Sequence, residues 1–230
     1  MFSAIVFDFD GLILDTEQPL YEAWSAVHLA HAGRTLDRQR WVAAIGLAND
    51  DMPFDPLADL VAAAAEQGRR IDVEAVEEER RRRRDELIAA VAVNPGVVDW
   101  LDRAAEAGIA LAVASSSSSQ WVEGHLDERG LIDRFDVLAC AGGGVLPGKP
   151  APDVYLAACA GLDVDPASAL AIEDSPTGTA AAKAAGLTCV AVPSAMTAPL
   201  DFSEADLVIE SLAAATLHDV HAALSEARRP

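Results

Sequence analysis

Apolar and polar positions follow two rhythms along this chain. Short apolar runs that stop at a polar residue or a proline recur at residues 3–8 (SAIVFD), 110–115 (ALAVAS), 169–174 (ALAIED) and 188–193 (TCVAVP). Unbroken apolar runs of this length predict strands buried on both faces, as in a parallel sheet. Between them lie stretches with helix start and stop signals: Pro95 to Ala107 before Gly108, Gln120 to Arg129 before Gly130, Asp153 to Ala160 before Gly161, and Pro176 to Ala185 before Gly186. Strand and helix in alternation predict a doubly wound α/β domain with a parallel sheet.

The interval from Glu17 to about Val93 breaks the alternation. It offers helical stretches at Pro19 to His31, Leu36 to Ile45, Pro56 to Gln67 and Val73 to Ala92, and no convincing strand. The expected organisation is therefore a core of residues 1–16 and 94–230 interrupted by an all-α insert of residues 17–93. The insert follows the first strand, so it leaves and rejoins the sheet at that strand's carboxyl end. In open α/β sheets the ligand crevice lies on that side, and the insert is placed to cover it.

Composition narrows the classes of function. Seventeen Lys and Arg oppose thirty-seven Asp and Glu, a formal charge of −20. A field of that sign repels nucleic-acid phosphates and anionic lipid, so neither partner is expected. A hydrophobic fraction of 51% is rich enough to close a core. The apolar runs are shorter than the ~20 residues of a membrane helix, and no basic stretch precedes an apolar one at the N-terminus, so a cytoplasmic location is expected. Cys140, Cys159 and Cys189 are far apart and form no CxxC pair. They read as buried small hydrophobes rather than as a disulfide framework or zinc knuckle. Fifteen of the seventeen basic residues are arginine, which leaves only Lys149 and Lys183 for chemistry that needs a lysine.

Four strand-end segments carry candidate chemistry. The first strand runs into Asp8-Phe9-Asp10-Gly11, where residues two apart share a face. Two carboxylates that close repel unless a cation or a proton intervenes. Ser115 ends the second run, Lys149 sits in the loop Gly148-Lys149-Pro150, and Glu173-Asp174 ends a later strand. If the topology gathers these loops, the crevice holds acids, a hydroxyl and a lysine. Such oxygen ligands suit Mg²⁺, which takes one or two carboxylates plus a phosphate oxygen and keeps several waters.

Asp8-Phe9-Asp10-Gly11 with Asp15-Thr16, then Ser115, Lys149-Pro150 and Glu173-Asp174-Ser175 resemble the four ordered motifs of the haloacid dehalogenase superfamily. The insert is similar to the helical cap of its phosphatase and β-phosphoglucomutase branch. The resemblance implies a Rossmann-like core and a small phosphorylated substrate. It makes Asp8 the nucleophile that forms an aspartyl-phosphate, and Asp10 the group that protonates the leaving oxygen and then deprotonates water. It also implies Mg²⁺ held by Asp8, the backbone carbonyl of Asp10 and Asp174, with Glu173 in or just behind that shell. Ser115, Ser116 and neighbouring N–H groups would grip the phosphoryl oxygens, Lys149 would face both Asp8 and the phosphate, and Thr16 would lie at the cap hinge within reach of substrate. Read without the family, Ser116 to Ser119 are a polar loop with a helix cap.

In the segment Glu77 to Arg84, the pairs Glu77–Arg81, Glu78–Arg82 and Glu79–Arg83 have i,i+4 spacing, each worth about 0.3 kcal/mol. A solvated helix face is the plain reading of Arg80 to Arg84, while one or two of them could turn to a substrate's remote anion. The five histidines show no ligand spacing beside the acids.

Among activities of the resembled family, a carbon-ester dehalogenase lacks the acid that Asp10 supplies. A phosphonatase needs a cap lysine, and residues 17–93 contain none. Ala23-Trp24 resembles β-phosphoglucomutase, but Leu20 and Glu22 stand where that enzyme has a histidine and an arginine. The cap loop Gly46-Leu47-Ala48-Asn49-Asp50-Asp51 has two acids and no base. The expected activity is therefore a Mg²⁺-dependent phosphatase of a small phosphomonoester such as a sugar phosphate. A mutase is the alternative, and a non-catalytic binder of phosphorylated metabolites the further one.

Overall fold

The computed structural model describes residues 2–47, 53–144 and 146–227. Of the cap loop singled out above, Ala48 to Asp51 lie outside the described residues. Six parallel strands form one sheet: β1 (Ala4–Phe7), β2 (Ala110–Ser115), β3 (Val137–Cys140), β4 (Ala169–Glu173), β5 (Thr188–Ala191) and β6 (Leu207–Val208). Their spatial order is β3-β2-β1-β4-β5-β6. The chain builds outward from β1 on one side and then crosses to β4 on the other, which makes the β1/β4 junction the switch point where a crevice opens.

The four predicted strands are present, and β3 and β6 are additional. β3 does carry a short apolar run, Val137 to Ala141, whereas β6 has only Leu207 to Ile209. β3 is only half buried over its first two residues, and β6 is a two-residue edge strand. Their pairing depends on neighbours that the local sequence does not name.

Side-chain size alternates across the sheet. One face carries Ile5 and Phe7 of β1, Leu111 and Val113 of β2, and Leu170 and Ile172 of β4. It packs on α5 (Val97–Glu106), α6 (Ser119–Glu128) and α9 (Leu217–Ala227) through Trp100, Leu101, Val122, Leu126, Val220 and Leu224. The other face is mostly alanine, with Ala4, Ala112, Ala114, Ala169 and Ala171, and it receives α7 (Asp153–Gly161) and α8 (Pro176–Ala184). Period-two alternation thus buries both faces with different partners. α9 was not among the predicted helices; Val220 and Leu224, one turn apart, are its two buried residues. The three cysteines are free and buried.

Between β1 and β2 the chain forms α1 (Glu17–Ala32), α2 (Arg38–Val42), α3 (Pro56–Glu66) and α4 (Val73–Ala89). α2 is much shorter than the stretch Leu36 to Ile45 suggested, because residues 43–46 continue as turns. Asp37, Asp55 and Asp72 cap α2, α3 and α4 by accepting backbone N–H groups. Val27 and Ala32 of α1 pack with Leu60 and Ala63 of α3 and Val76 of α4. The outgoing and returning chains lie side by side. Leu14 bridges Val93, and the Asn94 amide donates to the carbonyls of Gly11 at 3.1 Å and Leu12 at 2.8 Å. Among the described residues, no helix is long and apolar enough to cross a membrane.

The Trp100 indole N–H on α5 donates to the carbonyls of Leu212 and Ala215, both at 3.0 Å, and ties the segment before α9 to the core. Trp100→Phe keeps an aromatic side chain, smaller than the indole, and strands both carbonyls. Urea denaturation should show a loss of about 1–3 kcal/mol, and an unchanged midpoint would refute this account of the tie.

Candidate active site

Each motif reaches the crevice because a strand ends there. Asp8 follows β1, Ser115 ends β2, and Glu173 ends β4. The register pairs Phe7 with Ile172 and with Val113, so the residues just beyond these strands emerge together. Lys149 arrives from the loop between β3 and α7. Its expected neighbour Asp8 is there: Asp8, Glu173 and Asp174 form a buried carboxylate cluster, and the Lys149 ammonium donates to Asp8 and to Glu173 Oε1, the latter at 2.6 Å. Asp8 is 5% exposed, and Lys149, Glu173 and Asp174 are at most 1%.

Such burial is costly for charge. Desolvation, then the Glu173 charge, push Asp8 up to about 8 against the pull of Lys149. Asp174 is raised well above the carboxylate range, first by burial and then by Asp8 and Glu173. Burial works against the Lys149 charge, but Asp8 and Glu173 outweigh it and hold the ammonium protonated. If the three carboxylates are ionised against the one ammonium, two negative charges remain, the charge of one divalent cation. Asp174 Oδ2 is buried without a hydrogen-bond partner. Its carboxylate lies against the backbone of Gly11, which has φ +88 and no room for a Cβ. Oxygen donors, a charge deficit of two and an unpartnered carboxylate oxygen fit a hard cation such as Mg²⁺.

Glu173 is differently engaged. Oε1 accepts from Lys149 and from the Tyr155 hydroxyl, both at 2.6 Å. Oε2 accepts from the backbone N–H groups of Asp174 and Ser175 and from the Ser175 hydroxyl, at 3.2–3.3 Å. Five donors leave it as the anchor of Lys149 and of the turn into α8.

The serine loop before α6 is divided in its duties. Ser115 Oγ accepts the Ser117 N–H at 3.0 Å. The Ser116 hydroxyl accepts the Lys149 N–H at 3.1 Å and donates to the carbonyl of Gly46 at 3.0 Å. Gly46 lies in the insert at φ +85, with Ser175 where its Cβ would be, so the insert touches the core closely there. Met196, from the loop after β5, packs into the cluster of Trp41, Ile45 and Phe54 beside it. The Thr16 hydroxyl donates to Asp10 Oδ1 at 2.7 Å.

Above these groups, α1–α4 and the strand-end loops enclose a cavity of about 1190 Å³. Asp8, Asp10, Ser115, Ser116 and Lys149 line its base, while Trp24, Trp41, Phe54, Arg80 and Arg84 line the insert side. The arginine run is split by helix geometry. Arg81 and Arg82 are exposed and Arg83 is half-buried, whereas the Arg80 side chain is 12% exposed and stacks over Trp24 at 4.6 Å. Arg84 lies over Trp121 at 5.2 Å. Of the expected i,i+4 pairs, Glu77–Arg81 (3.6 Å) and Glu79–Arg83 (2.8 Å) form, while Arg82 turns forward to Glu86 at 3.9 Å.

Several lining residues escape a reading of motifs. Glu17 opens α1 just after Thr16 and accepts the Trp41 indole N–H at 3.3 Å. Burial, then the charge of Asp10, raise it to about 8. Trp121 donates its indole N–H to Asp10 Oδ1 at 2.9 Å, and the Ser117 hydroxyl donates to Oδ2 at 2.6 Å. The available signals were a tryptophan in the first turn after the serine loop and an acid directly following the hinge threonine.

A family model for haloacid dehalogenase-like hydrolases matches residues 2–186. Protein YhcW of Bacillus subtilis (strain 168) is 39% identical over 213 residues, 93% of each chain. Hexitol phosphatase B of Escherichia coli (strain K12) is 33% identical over 221 residues, 94% of this chain and 96% of that one. The crystal structure of CbbY from Rhodobacter sphaeroides in complex with phosphate superposes with a TM-score of 0.70 at 30% identity, over 93% of this chain and 96% of that one. The chain is therefore an enzyme of the haloacid dehalogenase-like hydrolase family, in the branch that contains its phosphatases.

Proposed function

We propose that the protein is a Mg²⁺-dependent phosphohydrolase that acts on a small phosphomonoester through an aspartyl-phosphate. The observation that carries the reading is the buried group of Asp8, Glu173, Asp174 and Lys149 at the base of the cavity, which with its acids ionised is two positive charges short of neutrality. Residues 1–16 and 94–230 act as the catalytic core, and 17–93 as a cap over it. The similarity to hexitol phosphatase B makes phosphorylated sugars and sugar alcohols the first substrates to test. The composition and the three free thiols suit a cytoplasmic enzyme.

In the first step an oxygen of Asp8 bonds to phosphorus while the ester P–O bond breaks, and Asp10 gives its proton to the leaving oxygen. In the second step water attacks the aspartyl-phosphate, its proton passes to Asp10, and phosphate departs as the Asp8 carboxylate is restored. Lys149, held by Glu173, keeps a fixed positive charge beside Asp8 and the incoming phosphate, a role for which a compact ammonium suffices. Ser115 and the N–H groups of the serine loop receive phosphoryl oxygens. Asp8, the Asp10 carbonyl and Asp174 would hold Mg²⁺, with Glu173 behind them, and the ion would supply the charge that lets an anionic nucleophile approach an anionic ester.

A mutase is the second reading, and one observation favours it. Arg80 and Arg84 bring two cations to the insert side of the cavity, where a second phosphate of a bisphosphate could sit. Supplied with β-glucose 1-phosphate and a trace of the bisphosphate, the protein should release free phosphate; accumulation of glucose 6-phosphate instead would make it a mutase.

Two further outcomes follow from the site. Wild-type protein with Mg²⁺ should turn over p-nitrophenyl phosphate, while Asp8→Asn and chelation by EDTA should each abolish it; equal rates in Asp8→Asn would sink the reading. Lys149→Met leaves Asp8 and Glu173 buried without their cation, so urea denaturation in EDTA should show a loss of about 3–5 kcal/mol. A variant as stable as wild type would mean that the ammonium does not hold the acids together.

A further inference from the structure

Asp10 stands apart from the buried group. Three side chains from three segments donate to its carboxylate: Thr16 at the start of the insert (2.7 Å) and Trp121 of α6 (2.9 Å) to Oδ1, and Ser117 of the loop after β2 (2.6 Å) to Oδ2. These donors differ in kind. A hydroxyl can donate or accept, but an indole N–H can only donate. A proton on Oδ1 would meet the Trp121 N–H head on and cost that hydrogen bond. A proton on Oδ2 costs nothing there, because the Ser117 hydroxyl can reverse.

We propose that Trp121 is a positioning residue that reserves Oδ1 of Asp10 as an acceptor and so keeps the transferable proton on Oδ2. The inference rests on the phosphatase reading above, in which Asp10 is both acid and base. In the first step the Oδ2 proton goes to the ester oxygen as the P–O bond breaks and the phosphoryl group passes to Asp8. In the second, water gives a proton back to Oδ2 as its oxygen bonds to phosphorus and the bond to Asp8 breaks. Without a donor fixed on Oδ1, the proton divides between the two oxygens, and the fraction carried by Oδ2 falls.

The indole is held for this task from both sides of the hinge. Ser118 accepts the Trp121 backbone N–H at 3.3 Å, and the His125 ring, one turn further along α6, meets the indole edge to face at 4.3 Å. From the insert, the Arg84 guanidinium of α4 lies over the same ring at 5.2 Å. The Arg129 guanidinium at the end of α6 donates to the carbonyls of Ile88 (3.0 Å) and Val91 (3.2 Å). The seam between α4 and α6 therefore fixes the ring that orients Asp10, which couples the seat of the insert to the acid.

Trp121→Phe keeps an aromatic side chain at the seam, smaller than the indole, and removes the donor. The test is kcat/KM, which reports the first phosphoryl transfer. It is measured for glucose 6-phosphate, whose alkoxide needs a proton, and for p-nitrophenyl phosphate, whose phenolate leaves without one. The value for glucose 6-phosphate should fall about tenfold, part of the roughly 10²–10⁴ that a positioned acid contributes. The value for p-nitrophenyl phosphate should fall at least three times less. Equal falls, or none, overturn the inference while the phosphatase reading stands; a wild-type protein that hydrolyses neither ester overturns both. In a ¹H–¹⁵N spectrum of the folded wild-type protein, the indole signal missing from Trp121→Phe should shift on Asp10→Asn. A signal that stays in place refutes the contact without recourse to turnover.

Discussion

An ammonium enclosed with carboxylates is the constraint around which the rest of the molecule is arranged. Lys149, Glu173 and Asp174 have almost no exposed surface, and Asp8 very little. Acids that deep and that close would take up protons or force the loops apart. Lys149 opposes both by reaching Asp8 and Glu173 at once, although burial still holds Asp8 and Asp174 above the ordinary carboxylate range, and Glu173 is in turn locked by Tyr155, Ser175 and the first N–H groups of the turn into α8. With its acids ionised the arrangement is short of positive charge, which fits it to a divalent cation.

The sheet makes this packing of charge possible. Its switch point lies between β1 and β4, so the chain ends that carry Asp8 and Glu173 diverge from adjacent strands. Alanine dominates one sheet face, which lets α7 and α8 approach closely. α7 carries Tyr155 beneath the site, and α8 begins at the turn that Glu173 anchors. Larger side chains fill the opposite face against α5, α6 and α9. α6 brings Trp121 from that layer to Asp10. Each layer of the domain thus supplies one group to the site and the apolar contacts that hold that group still.

Charge is distributed with the same economy. The chain is strongly acidic overall, yet the cavity carries Arg80, Arg84 and Lys149. On α4, residues 80 and 84 are one turn apart and face inward over Trp24 and Trp121, while Arg81 and Arg82 face water; all five arginines pair with acids of the same helix.

Much of this was legible in the residues alone. Buried strands announce themselves by unbroken apolar runs, and the motif acids, Ser115 and Lys149 stand at or just beyond strand ends, where backbone geometry must expose them. β6 carried no comparable local signal, because a half-buried edge is stabilised by its neighbours rather than by its own pattern; β3 and α9 have short apolar patterns, Val137 to Ala141 and Val220 with Leu224. The partners of Thr16 and Ser116, the inward turn of Arg80 and Arg84, and the grip of Trp121 on Asp10 were equally out of reach. Each joins positions far apart in the chain or selects one helix face among several polar ones. Local periodicity determines which residues form strands and helices and where acids emerge; only the packing of those elements against one another decides which hydroxyl, ring or guanidinium each acid meets.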